Sequence, residues 1–501
     1  MHTELIDSRP AAGSLSPTRD RPVVARDSLR ARMMALASAP WFEAATVAAL
    51  LVGMFGVFLI RLSSVVISDM DEGTYLYGGK LIATGLTPYR DFLLVHPPVA
   101  VYLAAAWVLL AGDGVMAERF ANLAFVLAST IPLYLTIRHL TRSRVAGLLG
   151  IATYMTGILL LANMGRTLKL EPVMNVFLIW AFALYTLRPR NLWVRGVFGM
   201  LVAAAVFTKL VAVIPVGLIV LGDLIWCRKS WRQFARAWLA AAVGFALVAV
   251  PLGLFLVSQP HFLDDVVWSQ LDRGGLPLDL RLRYLLQDFT RFPAIPLALL
   301  ASIWYVLRAR DARVRVSSLV ALVGMAVLVV GFKTFFTYYI VLVMPWLAIL
   351  FVVAVRDALR RFSVRLWQPA MAGLVLVTAL LVPVAYDEAY YRTGTMHVAS
   401  PAHIIPMLEQ GNGPIYAMYP LFALWSGRPE YSWYYSADAL IPRMTGKWTS
   451  ADFITAFTGT TAVVLWDGEL NEYADAQAYL DANYQLAYQD GYFSLWLRHT
   501  T

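Results

Sequence analysis

Three acidic side chains stand where the first apolar run gives way to polar sequence. Asp69, Asp71 and Glu72 directly follow a hydrophobic segment spanning about Ala44 to Leu62. A carboxylate drawn into the hydrocarbon core costs roughly 2.5–3.5 kcal/mol. Acidic groups packed this densely beside a bilayer therefore call for a task, and proton abstraction or metal binding are the leading ones. Asp71 and Glu72, together with Glu171 further along, are the candidate catalytic carboxylates, with Asp69 the competing base. The plainer alternative is that Asp71 caps a helix, through Ser68-x-x-Asp71, where the helix dipole favours its charge. Further on, His96 precedes Pro97-Pro98 and forms with Glu72 the candidate metal site, although a loop histidine is more often simply solvated. No cofactor is firmly called for; a divalent ion (Mg, Mn or Zn) is the candidate.

A second cluster runs Arg166-Thr167-Leu168-Lys169-Leu170-Glu171-Pro172. Glu171 before Pro172 fits an N-cap followed by proline at the first helical position. That reading leaves the two cations upstream unexplained, and Arg166 and Lys169 look like anion ligands. Lys209, in Phe207-Thr208-Lys209-Leu210, interrupts otherwise apolar sequence at a helix end; a snorkelling lysine is the alternative. Lys333 precedes Thr337-Tyr338-Tyr339, where the aromatics could also be an interfacial belt. Arg119 lies about a turn inside its apolar run and calls for a carboxylate partner. The loop from Ser258 to Arg291 offers His261, Asp264, Asp265, Trp268, Gln270, Arg273, Arg281 and Arg283. No Gly-rich phosphate loop follows a strand, so a soluble nucleotide has no evident cradle. Zinc-type Cys/His spacing is missing too.

The elements that must hold these groups follow from composition and charge. The chain has 501 residues, 59% hydrophobic and only 15% charged, with several apolar runs long enough to span a bilayer as helices. One cysteine, Cys227, excludes an intrachain disulfide. The net charge of +9 does not indicate nucleic acid, because arginines recur in short loops between apolar runs. They fall at 138–144, 188–195, 228–236, 308–315 and 356–365, and the positive-inside rule places all of them in the cytoplasm. Spans then fit at about 44–64, 115–137, 145–164, 171–187, 196–209, 211–227, 237–257, 292–307, 316–332, 338–355 and 366–386. The apolar stretch Val99 to Ala111 would put every later cluster on the wrong side if it crossed, so it reads as an interfacial helix. Another is predicted from Glu72 to Thr84, ended by Gly85 and Pro88, with Tyr75, Leu76, Gly79, Ile82 and Ala83 on one face.

The expected fold is an α-helical polytopic membrane protein of about 11 transmembrane helices, with interfacial helices in the first outer loop and a small C-terminal extracytoplasmic α/β domain. Residues 1–40 read as a disordered cytoplasmic tail, 41–386 as the membrane domain with its first outer loop at 65–114, and 387–501 as the outer domain. In that last region Pro414–Tyr419 and Ala462–Trp466 look like strands, Asn471 to Ala482 like a helix, and Tyr484 to Leu497 like a hairpin turning at Asp490-Gly491. The cell (cytoplasmic) membrane is the expected location.

In order along the chain, D-E-x-x-Y, G-x-x-P-Y-x-D, H-P-P, A-E-R-F, Leu170-Glu171-Pro172, F-T-K and T-Y-Y resemble the GT-C class of membrane glycosyltransferases. More closely, the chain resembles the protein O-mannosyltransferase and lipid A aminoarabinose transferase group, over roughly Asp69 to Pro345. The resemblance implies a polyprenyl-phosphate sugar donor, inverting transfer at the extracytoplasmic face, and a glycan, lipid or protein acceptor. It aligns Asp71 with the catalytic carboxylate of the first outer loop and places Glu171 where related enzymes carry an acidic residue before proline. His96-Pro97 departs from the Glu-Lys-Pro of aminoarabinose transferases. Lys209, Arg166, Lys169 and Arg273 are then the expected ligands of the donor phosphate, with Tyr338 or Tyr339 donating a hydrogen bond. Tyr75, Tyr89 and Asp91 are expected acceptor or loop contacts. A transporter or flippase for a lipid-linked or anionic substrate is the alternative; it should carry its charges at mid-span, whereas these cluster at outer helix ends.

Overall fold

A computed structural model describes residues 73–160, 168–227, 230–272, 274–333, 337–362, 367–381, 400–417, 419–430 and 448–499, with fragments between 45 and 56. Asp69, Asp71, Glu72, Arg166 and Arg273 lie outside the described residues, as do the 1–40 tail and most of the first expected span.

Helices occupy the remaining expected positions. The segment expected as the first outer loop holds α1 (Thr74–Ala83) and α2 (Val99–Ala111). There follow α3 (Val115–Thr141), α4 (Arg144–Leu160), α5 (Leu170–Leu187), α6 (Leu192–Val206), α7 (Val213–Gly222) and α8 (Trp231–Val257). After them come α9 (Leu278–Arg291), α10 (Ala294–Arg308), α11 (Ala312–Ala326), α12 (Met344–Phe362) and α13 (Trp367–Leu376). Among the described residues four helices are long and apolar enough to cross a membrane, or five if the pair α9 and α10, bent by 102°, is taken as one span. Several others are shortened by breaks: α7 begins from a 3-10 turn at Leu210–Ala212 and ends in a π-helical turn at Asp223–Cys227.

The arginine-rich turns carry the helix caps. Asn191 accepts from Val194 N at 3.2 Å, Ser230 from Gln233 N at 3.2 Å and Asp311 from Arg313 N at 2.8 Å. Each satisfies an otherwise orphaned donor and starts α6, α8 or α11. Glycine sets how closely α6 and α8 approach: a Cβ on Gly199 would lie 1.8 Å from Ala241 O, and one on Gly244 1.9 Å from Gly196 O. Small residues at such crossings let backbones touch where no hydrophobic force drives helices together.

The segment expected as the Ser258–Arg291 loop is in fact largely helical. It contains a π-helical turn at Asp264–Trp268, the short helix Ser269–Asp272 and the whole of α9. Leucine alternates with charge too closely along Leu278–Arg291 for a buried span, and the resulting amphipathic helix turns sharply at Phe292-Pro293.

The C-terminal sheet has the order β1-β2-β4-β3, with β1 (Ile415–Ala417), β2 (Ala462–Trp466), β3 (Tyr484–Gln489) and β4 (Phe493–Arg498). β1 pairs with β2 in parallel, and the other pairs are antiparallel. The β3–β4 hairpin turns at Asp490-Gly491, where Gly491 takes φ +84° and Asp490 Oδ1 accepts from Tyr492 N and Phe493 N, both at 3.0 Å. β2 reads as an unbroken apolar run because both faces are covered. Ala462 and Val464 join one core; Val463 and Leu465 join another with Phe453, Phe457 and Leu480.

The first of those cores also contains Tyr75, Leu76 and Val101 of α1 and α2, and Leu421 and Phe422 of α14 (Pro420–Ser426). The sheet therefore shares its interior with the first-loop helices. Gly73, at φ +92°, makes the approach feasible, since a Cβ there would sit 2.6 Å from Leu421 N. Tyr77 OH accepts from Glu430 N at 2.6 Å across the same junction. This double covering explains why Thr74 through Gly79 are all buried, where the sequence pattern predicts a single buried face.

Candidate functional site

Three segment ends converge around one cavity. The 3-10 turn after α6 presents Lys209 from extended backbone, its amide bonded to Ala205 O at 3.0 Å. The start of α2 is fastened to this turn, Val99 N donating to Phe207 O at 3.0 Å, which brings His96-Pro97 alongside. The start of α5 supplies Lys169 and Glu171. The cavity, about 460 Å³, is walled by apolar residues including Val95, Pro97, Val211, Val266, Leu328 and Leu342. Its polar lining is His96, Glu171, Lys209, Gln270, Lys333 and Tyr339.

At the polar end Glu171 Oε1 accepts a hydrogen bond from Lys209 Nζ, and both side chains are nearly enclosed, 4% and 12% exposed respectively. This corrects the capping assignment. α5 starts two residues earlier, at Leu170, with Lys169 as N-cap, and Glu171 uses its carboxylate on a cation 38 residues away. Its place in the first helical turn also sets its charge near the positive end of the dipole. Lys209 Nζ lies 4.8 Å from the Tyr339 ring centroid and 5.7 Å from that of Tyr338, while Lys169 Nζ stands 4.3 Å from the Tyr338 centroid. The two phenol rings meet edge-on at 4.9 Å. Two cations thus share two aromatic faces, an arrangement worth about 0.5–2 kcal/mol per contact depending on desolvation.

Sequence reasoning missed what holds those tyrosines. Asn175, fully buried and one turn beyond Glu171, donates from Nδ2 to Val341 O at 2.7 Å and so ties the Thr337–Leu342 turn to α5. The signal was available as Glu171-x-x-x-Asn175, a spacing that puts both side chains on one helix face.

The outer rim is built by tethers. Lys333 Nζ donates to Leu271 O at 2.8 Å, and Leu276 N returns a bond to Lys333 O at 2.8 Å. Arg281 Nη1 donates to Val329 O at 2.9 Å and also to Phe332 O, satisfying carbonyls at the end of the α11 segment. Gln270 Nε2 donates to Val95 O at 3.3 Å. Beneath this rim Asp265 is buried, and burial pushes its carboxyl up to about 7, against a backbone hydrogen bond from Leu94 that pulls it down.

The expected acceptor contacts lie outside the cavity lining. Tyr75 is buried with its ring 6.3 Å from that of His96. Tyr89 is buried at φ +63° and donates from its hydroxyl to His96 O at 2.7 Å, fixing the loop that carries the histidine. Asp91 accepts from Thr87 N at 2.7 Å and pairs with Arg90, whose hydrogen bond holds its carboxyl below the usual range. Arg119 is buried with its guanidinium 5.4 Å from the Trp425 ring centroid. Among the described residues no group of three or more His, Cys, Asp or Glu side chains could hold a metal ion; His96 faces the cavity.

No protein-family model matches the sequence, and no curated protein matches it either. Solved structures do. The chain is similar to ArnT from Cupriavidus metallidurans in the apo state, with TM-score 0.68 and 15% identity over 90% of this chain and 98% of that one. Against ArnT bound to undecaprenyl phosphate the values are 0.66 and 13% with the same coverage. The archaeal oligosaccharyltransferase AglB from Archaeoglobus fulgidus, in complex with an inhibitory peptide and a dolichol-phosphate, gives 0.52 and 11% over 92% of this chain and 75% of that one. ArnT, a lipid A aminoarabinose transferase, and AglB are both GT-C glycosyltransferases, and theirs is the fold this chain adopts.

Proposed function

We propose that the chain is an inverting glycosyltransferase that moves a sugar from a polyprenyl-phosphate donor to a hydroxyl of a glycan, lipid or protein at the extracytoplasmic membrane face. The observation that carries this reading is the cavity itself. Lys209 and Tyr339 line one end, backed by Tyr338 and the buried Lys169, and apolar walls extend from it, which suits an amphiphile with an anionic head. The fold likeness to proteins crystallised with undecaprenyl phosphate and with a dolichol-phosphate supports the same ligand class.

The mechanism follows from charge. A polyprenyl-phosphate sugar is a phosphodiester with one negative charge, and its phosphate gains a second as the sugar–oxygen bond breaks. Fixed cations where that charge develops lower the barrier. Lys209 is held for the task by Glu171 and the tyrosine rings, with Lys169 behind Tyr338. Arg166 and Arg273 complete the proposed phosphate ligands. The acceptor hydroxyl attacks from the opposite side of the sugar, and Asp71, two residues before Gly73, takes its proton. Glu72 orients Asp71. No step of this mechanism runs through a metal.

The test is a donor screen in nanodiscs, following sugar release from labelled polyprenyl-phosphate sugars with the wild type and Asp71→Asn. One donor should be consumed by the wild type, and bound but not consumed by the variant. Near-normal turnover by Asp71→Asn would remove Asp71 as the base. Lipid movement across the bilayer with no donor consumed would replace transfer by transport.

A further inference from the structure

We propose that Glu118 is a positioning residue, a single carboxylate oxygen that fastens two outer segments of the site to each other. Glu118 Oε1 accepts hydrogen bonds from Gly73 N at 3.0 Å and from Leu168 N at 3.2 Å, groups 45 and 50 residues away in sequence. The side chain is fully buried in the first turn of α3. Gly73 is the N-cap residue of α1, and Leu168 immediately precedes Lys169.

A charged acceptor suits this place for two reasons. Hydrogen bonds to a carboxylate are roughly twice as strong as neutral ones. The oxygen also meets the N-cap amide of α1 from within the first turn of α3, so two helix dipoles favour its charge. A buried peptide N–H without an acceptor is costly, and here one oxygen satisfies two of them from unrelated segments.

The consequence for function rests on the reading proposed above. Moving Leu168 moves Lys169, whose ammonium packs against Tyr338 at the polar end of the cavity. Moving Gly73 moves the peptide that leads to Asp71-Glu72. Glu118 thus holds the start of α1 against the segment that carries Lys169. A misplacement of 1 Å can cost about 100-fold in rate.

The test uses the full chain in nanodiscs with Glu118→Gln, Glu118→Asp and Glu118→Ala. Glutamine keeps the acceptor oxygen in place; aspartate keeps the charge but is one methylene too short. Expected turnover runs wild type, Gln, Asp, Ala, with kcat for Ala down about 100-fold and KM for the donor within a few fold. Hydrogen exchange at the Gly73 and Leu168 amides should quicken in the same order. Asp matching or exceeding Gln would overturn the proposal, as would Ala exchanging at the wild-type rate. If Ala does not fold, the Gln and Asp ranking decides. Exchange needs no turnover, so a wild type that consumes no donor would fail the functional reading and leave the clamp to be judged on its own.

Discussion

Replacing Lys209 with methionine removes a cation from the polar end of the cavity and leaves Glu171 enclosed there without it. The two consequences are separable in size. Losing a charged hydrogen bond to the donor phosphate costs about 1.5–3 kcal/mol, or roughly 10- to 150-fold in affinity. The orphaned Glu171 adds repulsion: two like charges roughly 6 Å apart at an effective dielectric near 20 repel by about 3 kcal/mol. Lys209→Met should therefore weaken undecaprenyl phosphate binding by about three to four orders of magnitude. Adding Glu171→Gln removes the repulsion and should restore about 100-fold, although it takes away a second polar group. Both side chains are nearly enclosed, so water screens little of this interaction. The assay is direct binding of undecaprenyl phosphate to the full chain in nanodiscs, for the wild type, each single variant and the double variant. A double variant that binds no better than Lys209→Met would refute the reasoning, because Glu171 would then not act on the ligand through Lys209.

Two further outcomes are expected. Asp265 has its carboxyl raised from 3.8 to about 7 by burial, so the folded state favours the protonated form. Its contribution to stability is fully present below 3.8 and is lost as pH rises through about 7. Asp265→Asn should flatten the fall in melting temperature across that window and melt above the wild type at pH values beyond it; an unchanged pH profile would show that Asp265 is not the group responsible. Gly79→Val should separate α1 from α2, because a Cβ there would lie 2.7 Å from the Ala104–Ala105 backbone. Overpacking of this kind costs about 1–3 kcal/mol. Gly253→Ala, at a helical site with nothing within 4 Å, is the comparison and should melt at or slightly above the wild type. Equal melting temperatures for the two variants would mean that the α1–α2 contact does not limit stability.

What the sequence by itself determined is what local physics controls. Apolar length and arginine-rich turns marked the helix positions, because hydropathy and capping act over a few residues. The hairpin was readable from Asp490-Gly491, since only that local geometry accommodates a positive φ at a tight turn. Lys209 and Tyr339 stood out as polar groups at apolar helix ends and both line the cavity, while Lys169 packs behind them against Tyr338. The partners of those groups were decided by tertiary structure. Glu171 beside Pro172 has a complete local explanation as a cap, and only the packing of α6 against α5 shows that its carboxylate binds Lys209 instead. Tyr89 and Asp91 look like contact residues in an exposed loop, yet their side chains are spent on holding that loop. Glu118 sits in a motif whose sequence gives no hint of Gly73 or Leu168, because a buried carboxylate finds its donors in whichever segments fold against it. Likewise the terminal strands can be found one by one, but burial of α1 between α2 and the sheet depends on a glycine close enough for backbones to touch. Periodicity reports which face of an element is apolar; it carries no information about which distant surface will cover it.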